Sequence, residues 1–318
     1  MNSTHILLAV LTLVVRLSAQ DARIQPNDLV PKTGRGTAPP NARGSGPWAT
    51  RVMLATSTNG LDFQRLHFVV SDQAGVPNVV IDHEQRARVY YIDFGNRNVL
   101  ACATQRESGT LTNWIYRRVN IAGLPDARAR SVDPAVVTLS EHRYRLYYMH
   151  ATPAPSIYSA IATNGVDFVK EDGIRFNANP QSVFDPIVLK LEKEWLLWGG
   201  GDQTFSARST DGFNFSSTGA FRVENTRFMP WSAAALANKG GYRLYGNFLG
   251  PGEWGGGVSS VFSRDGKTWK REPGIRLSLD GSRYALESQI GPDNGCALLP
   301  NGTWLMAYLA TIPERRRR

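Results

Sequence analysis

Three aspartates stand at the head of similar apolar stretches: Asp133 and Asp185, each followed by proline, and Asp293, followed by Asn294. Carboxylates gathered in one cleft push each other's pKa values apart, so one keeps a proton while another stays ionised, the condition for paired acid and base chemistry. An Asp-Pro pair also has a structural use, because Asp accepts neighbouring backbone amides and Pro is tolerated at the first residue of a strand. Aligning five such stretches from the apolar residue before their turn puts Val76 and Pro230 where the other three carry Asp. The fold therefore does not require Asp at this position, and Asp133, Asp185 and Asp293 are the catalytic candidates.

Further candidates surround them. Asp93 and His150 end the strands that follow two of these stretches, and Asp202 lies one residue beyond the equivalent place. A lone His is more often a hydrogen-bonded structural residue than a metal ligand. Glu287 and Asp93 are alternative carboxylates for the same site. Trp231, beside Pro230, and Trp254, in the loop GEWGGG, offer indole faces for the apolar face of a sugar ring, or wedges between packed units. That loop and WGGGD at 198–202 are not phosphate loops, since neither joins a strand to a helix with a terminal Gly-Lys-Ser/Thr. They mark close backbone packing or room for a ligand. No His, Cys and carboxylate cluster has transition-metal spacing, so no cofactor is required, and calcium held by carboxylates and waters is the one cation left open.

The elements that must position these groups are repeats. A polar turn ending in an aromatic recurs as STNGLDF at 57–63, ATNGVDF at 162–168, STDGFNF at 209–215 and SRDGKTW at 263–269, with a degenerate copy at 105–114. Asn-Gly and Asp-Gly supply the positive φ angles of tight hairpins. Between the turns run an apolar strand and an aromatic-rich strand, five times over, with no helical periodicity. Four short strands per unit and five units predict an all-β fold, a five-bladed β-propeller with one blade per unit. The chain opens on the second half of a blade, RVMLATSTNGLDFQRLHFVV, and ends on the first half of one. Strands at 51–69 are therefore expected to pair beside 293–310 and complete the last blade, which removes exposed sheet edges. In this register the aspartates begin the innermost strands and crowd one mouth of the central channel.

These Asp-Pro strand starts, the YRLYY-type second strands and the S-x-D-G-x-x-[FW] turns resemble the five-bladed propeller glycoside hydrolases, the superfamily of arabinanases, β-xylosidases and invertases, over nearly all of residues 48–312. There, three carboxylates on successive blades act as base, pKa modulator and acid. The resemblance implies that Asp133 stands near the modulator position and Asp185 near that of the acid. The sequence departs from the pattern in two places: the base position falls on Val76, with Asn78 nearby, and Asp185 stands where the acid is usually Glu. Sialidases share the turn motif, but they have six blades and an arginine cluster not evident here. The expected activity is hydrolysis of glycosidic bonds in an oligo- or polysaccharide. With Asp293 as base and Asp185 as acid, the wider separation across the ring favours inversion. A non-catalytic glycan-binding propeller is the alternative, favoured by the missing carboxylate at Val76.

Composition sets the remaining expectations. The chain has 318 residues, 42% of them hydrophobic, enough for one large core. Its formal charge of +9 falls to +4 without Arg16 and the terminal run Arg315 to Arg318, and no basic stripe interleaved with aromatics supports a nucleic-acid partner. Residues 6–15, ILLAVLTLVV, read as the core of a cleaved signal peptide over 1–19 and are too short to span a membrane. The product is expected to be secreted or periplasmic and monomeric, with 20–47 a flexible Pro-, Gly- and Arg-rich linker and 313–318 a basic tail. Cys102 and Cys296 fall on neighbouring blades, as a disulfide or as two buried thiols.

Overall fold

The computed structural model describes residues 28–40, 42, 46–124, 131–140, 142–151, 154–236, 240–249, 257–280 and 286–314. The four polar turns fold as their residue types dictate. Asn59, Asn164, Asp211 and Asp265 each use one side-chain oxygen to accept the amides two and three residues ahead, at 2.7–3.0 Å. The following glycines, Gly60, Gly165, Gly212 and Gly266, take φ of 67° to 74°, where a side chain would be strained.

Five antiparallel sheets result. Blade 1 runs from its inner strand outward as Ala74–Ile81, Ala87–Asp93, Val99–Gln105 and Trp114–Arg118. Blade 2 is Ser131–Thr138, Tyr144–His150, Ser156–Ala162 and Asp167–Lys170, with Asn120–Ala122 running parallel to its outer edge. Blade 3 is Phe184–Lys190, Trp195–Gly200, Phe205–Ser209 and Ser216–Ala220. Blade 4 is Thr226–Ala235, Tyr242–Leu249, Gly257–Ser263 and Lys270–Arg271. Blade 5 is Gln289–Leu298, Trp304–Thr311, Thr50–Ser57 and Gln64–Asp72, so it is assembled from both ends of the repeat series. Its seam is unbroken from Thr50 opposite Thr311 to Ser57 opposite Trp304, as the half-blades at the two ends of the sequence predict.

Each blade packs on its neighbours through a separate apolar cluster, and the second strands supply both sides. Tyr90 and Ile92 face blade 2 while Val89 and Tyr91 face blade 5, the two-residue alternation of a strand buried on both faces. That double burial is why these strands read as unbroken hydrophobic runs. Polar clasps add direction to the packing. At three junctions an Arg-x-Tyr on the second strand donates to the next blade's turn: the Tyr90, Tyr147 and Tyr245 hydroxyls bond the carbonyl oxygens of Gly165, Gly212 and Gly60 at 2.8, 2.6 and 2.8 Å. Arg145 and Arg243 are held in place by Glu171 and Glu272. Tyr147→Phe deletes one buried bond but leaves Arg145 on the same carbonyl at 3.2 Å. We expect a loss of about 1 kcal/mol in urea unfolding with the denaturant slope unchanged.

Residues 28–40 fall in the stretch expected to be a linker, yet they are fastened to the propeller. Asp28 bridges Arg117, the Leu29 amide donates to the Tyr116 carbonyl, and Lys32 bridges Asp72. The Gly34 amide donates to the Asp72 carboxylate, and Arg35 reaches the Ile312 carbonyl at 3.1 Å. The reason lies in the backbone rather than the composition: the outer edge of blade 1 offers unpaired groups that this segment covers. The signal-peptide segment 1–19 and the arginines Arg315 to Arg318 lie outside the described residues, as does Trp254. Cys102 and Cys296 are buried free thiols in different apolar clusters. Among the described residues no helix is long and apolar enough to cross a membrane.

Candidate active site

The ladder register confirms which residues are equivalent. Asn78, Ala135, Ile187, Ser232 and Gly295 sit opposite Tyr90, Tyr147, Trp198, Tyr245 and Ala307, one rung of each blade. Two residues earlier stand Val76, Asp133, Asp185, Pro230 and Asp293. Every inner strand breaks register here, in a bulge. Bulges re-aim side chains, and these do so at the inner strands around the channel. Val76, Asp133 and Asp185 take φ of 52°, 60° and 50°. Asp tolerates this left-handed region better than most residues, whereas a β-branched Val is an outlier there. The bulge thus imposes the conformation even where the side chain resists it, and Asp is not what creates the geometry.

The three aspartates converge. The Asp185 amide approaches the Asp133 Oδ2 at 3.4 Å, and the Val76 amide donates to the Asp293 carboxylate. Burial, followed by the charge of Asp133, pushes the Asp293 carboxyl up to about 7. Burial raises Asp133 to about 6, against the opposing hydrogen bond from the Asp185 amide. Asp185 is raised well above the ordinary carboxylate range, by burial first, then by the charges of Asp133 and Asp293. All three residues are half-buried. Behind them a cavity of about 450 Å³ runs along the inner strands, lined by apolar side chains such as Val79, Val136 and Val188 together with Asn78, Thr138 and Lys190. At neutral pH the group therefore holds protons that isolated aspartates would have lost.

The second-strand ends lie at the same mouth, since Asp93 pairs with Ala74, His150 with Ser131 and Gly200 with Phe184. Their side chains do different work. Asp93 is fully buried, and its two oxygens take the amide and the side chain of Asn96 at 2.9 and 2.8 Å, closing the loop to the next strand. His150 is buried with its ring edge-on to Tyr158 at 5.7 Å. Asp202 is exposed, and its carbonyl accepts Arg227 at 3.1 Å. Glu287 is buried in a network with Arg65 and the Tyr308 hydroxyl, the latter at 2.8 Å. Trp231 is the bulged residue of blade 4, and its Nε1 donates to Asn247 at 2.8 Å. Asn247 pairs with Met229, two residues nearer the channel mouth, so the indole leans toward the mouth between the blades of Asp185 and Asp293.

Two further neighbours shape the site, the first of them in the WGGGD run that the sequence marks as room for a ligand. A Cβ at Gly200 would meet Met229 Cε at 3.0 Å and Asp185 Oδ2 at 3.5 Å, so the middle of the WGGGD run leaves room beside Asp185. Asn247, which fixes Trp231, reads as an ordinary strand residue. Among the described residues no group of three or more His, Cys, Asp or Glu side chains is arranged to hold a metal ion.

No family model matches the sequence, and no curated protein matches it. Solved structures match the fold. An N-acetylgalactosamine deacetylase from F. plautii, solved with blood group B trisaccharide, aligns at TM-score 0.53 and 16% identity over 73% of this chain and 77% of its own. An α-L-arabinofuranosidase from Clostridium thermocellum aligns at 0.52 and 17%, over 73% and 80%. An endo-arabinase from Bacteroides thetaiotaomicron aligns at 0.53 and 12%, over 76% and 95%. At these identities the likeness is one of architecture: this chain has the five-bladed propeller fold on which those enzymes are built.

Proposed function

We propose that this protein is an extracytoplasmic glycoside hydrolase acting through Asp133, Asp185 and Asp293. The observation that carries the reading is the convergence of three partly buried carboxyl groups, each raised above the ordinary range, at one channel mouth, on a backbone position that Val76 and Pro230 also occupy. Asp185, raised by burial and by the charges of both other aspartates, is the general acid that protonates the leaving oxygen. Asp293, across the ring, is the base that activates water once ionised. Asp133 ionises first among the groups with a stated value, and its charge raises both others, which is the modulator's part. Trp231, held by Asn247, is the platform for a sugar ring. Export rests on the apolar stretch at 6–15. Calcium is an optional occupant, and the enzyme works as a monomer.

One observation favours the rival reading of a glycan-binding propeller: blade 1 presents Val76 where the resemblance places the base. Incubation with a panel of arabinans, xylans and mannans, followed by reducing-sugar release, separates the two. Release that disappears in Asp185→Asn supports hydrolysis. Binding to the same glycans with no release across pH 4 to 9 would leave the binding module as the better account.

A further inference from the structure

The Arg-x-Tyr clasp is absent from the junction of blades 3 and 4. Leu196 and Trp198 occupy its two positions, and the Gly266 carbonyl accepts instead from Arg208 on the third strand, at 2.8 Å. Beside this junction a cleft of about 610 Å³ opens. Its floor is the buried side chains of Leu196, Trp198, Phe221 and Trp269, the three rings packed edge to face. On its walls the Ser206 and Thr218 hydroxyls bond each other at 2.8 Å. Glu194, the one carboxylate in the lining, is held by Arg208 at 2.7 Å, so that pair is neutral. Arg222 and Lys267 are exposed on the rim, and among the described residues neither forms an ion pair.

We infer that this cleft is a second binding site, taking a carboxylate-bearing sugar unit of an oligosaccharide. The sugar half of this inference rests on the carbohydrate reading above; the anionic half rests on the cleft alone. Its volume is that of a small-ligand site. Hydroxyl groups and a carboxylate edge beside an aromatic floor exchange hydrogen bonds with a polyhydroxylated ring and cover its apolar side. Two cations without acidic partners select a negative charge, and a guanidinium engages a carboxylate with two bonds. The cleft is built largely from the third and fourth strands of blade 3 and the turn of blade 4, whereas the aspartates lie on the inner strands. A ligand held here leaves the channel mouth free and tethers a long chain to the enzyme.

The test is calorimetric titration of the full chain carrying Asp185→Asn, which suppresses cleavage of the probe, with tetragalacturonic acid and with neutral maltotetraose. Tetragalacturonate is expected to bind at least tenfold more tightly than the neutral sugar. The double variant Arg222→Ala/Lys267→Ala, both exposed positions, is expected to weaken it at least tenfold without moving the Tm. Thr218→Trp fills the cleft, keeps both charges, and is expected to block binding. Failure of tetragalacturonate to bind, equal affinity for the neutral sugar, or affinity unchanged by the double variant and by Thr218→Trp overturns the inference and leaves a water-filled gap. Hydrolysis is scored separately on the wild type: binding in the cleft with no glycan cleaved would count against the hydrolase reading alone.

Discussion

Asp185→Asn is expected to lose activity by about a hundredfold to ten-thousandfold while the protein becomes more stable at neutral pH. The loss follows from removing the proton that assists the leaving oxygen, since an amide cannot supply it. The gain follows from linkage. A carboxyl raised in the folded state keeps its proton there after the unfolded chain has released it, so stability falls as pH rises from the unfolded value near 3.8 toward the folded one. Asn removes that penalty. For Asp133, moved from 3.8 to about 6, the corresponding gain in Asp133→Asn is bounded by about 3 kcal/mol, and the residue's partial exposure reduces it to about 1 to 2 kcal/mol. Both variants should melt above the wild type at pH 7.5, and the difference should shrink as pH falls and vanish well below the unfolded value of 3.8, where neither state of the chain is ionised at these groups. A structural aspartate gives the opposite pattern, lower melting at pH 7.5 with turnover retained by the folded fraction. That result would remove the trio from the mechanism.

The pH profile carries the second large effect. If Asp293 must be ionised to act as base, kcat/KM rises with pH through about 7, the value to which burial and the charge of Asp133 bring it. It falls again at higher pH, as Asp185 gives up its proton. Asp133→Asn deletes a negative charge that raises both neighbours, so both limbs should move to lower pH, and turnover at neutral pH should drop as the acid loses its proton. The direction is diagnostic, because mere loss of packing at Asp133 lowers the rate without moving the limbs. An acidic limb that stays in place in Asp133→Asn, measured on a glycan the wild type cleaves, would show that the carboxylates do not titrate as one group.

The sequence by itself determined the architecture of this protein, and the reason is periodicity. Asn-Gly and Asp-Gly turns force hairpins locally, five alternations of turn and strand pair fix the number of blades, and the half-blades at each end leave one way to close the ring. It also determined that Val76, Asp133, Asp185, Pro230 and Asp293 are equivalent, because counting from a shared turn sets the register. Composition misled at 28–40, where Pro and Gly read as a free linker, because the groups that hold the segment are distant in sequence: Tyr116 and Arg117 at the edge of blade 1, Asp72 at the edge of blade 5, and Ile312. Only the tertiary structure decided what each polar group does at the channel mouth. Asp93 and Asp133 are both aspartates in or beside inner strands, yet one closes a loop with Asn96 while the other lies beside Asp185, a difference set by neighbours distant in sequence. The elevated pKa values arise from three inner strands meeting at one mouth of the channel, and the cleft between blades 3 and 4 from the outer strands of one blade meeting the turn of the next. Both depend on groups that no local pattern of residues brings together.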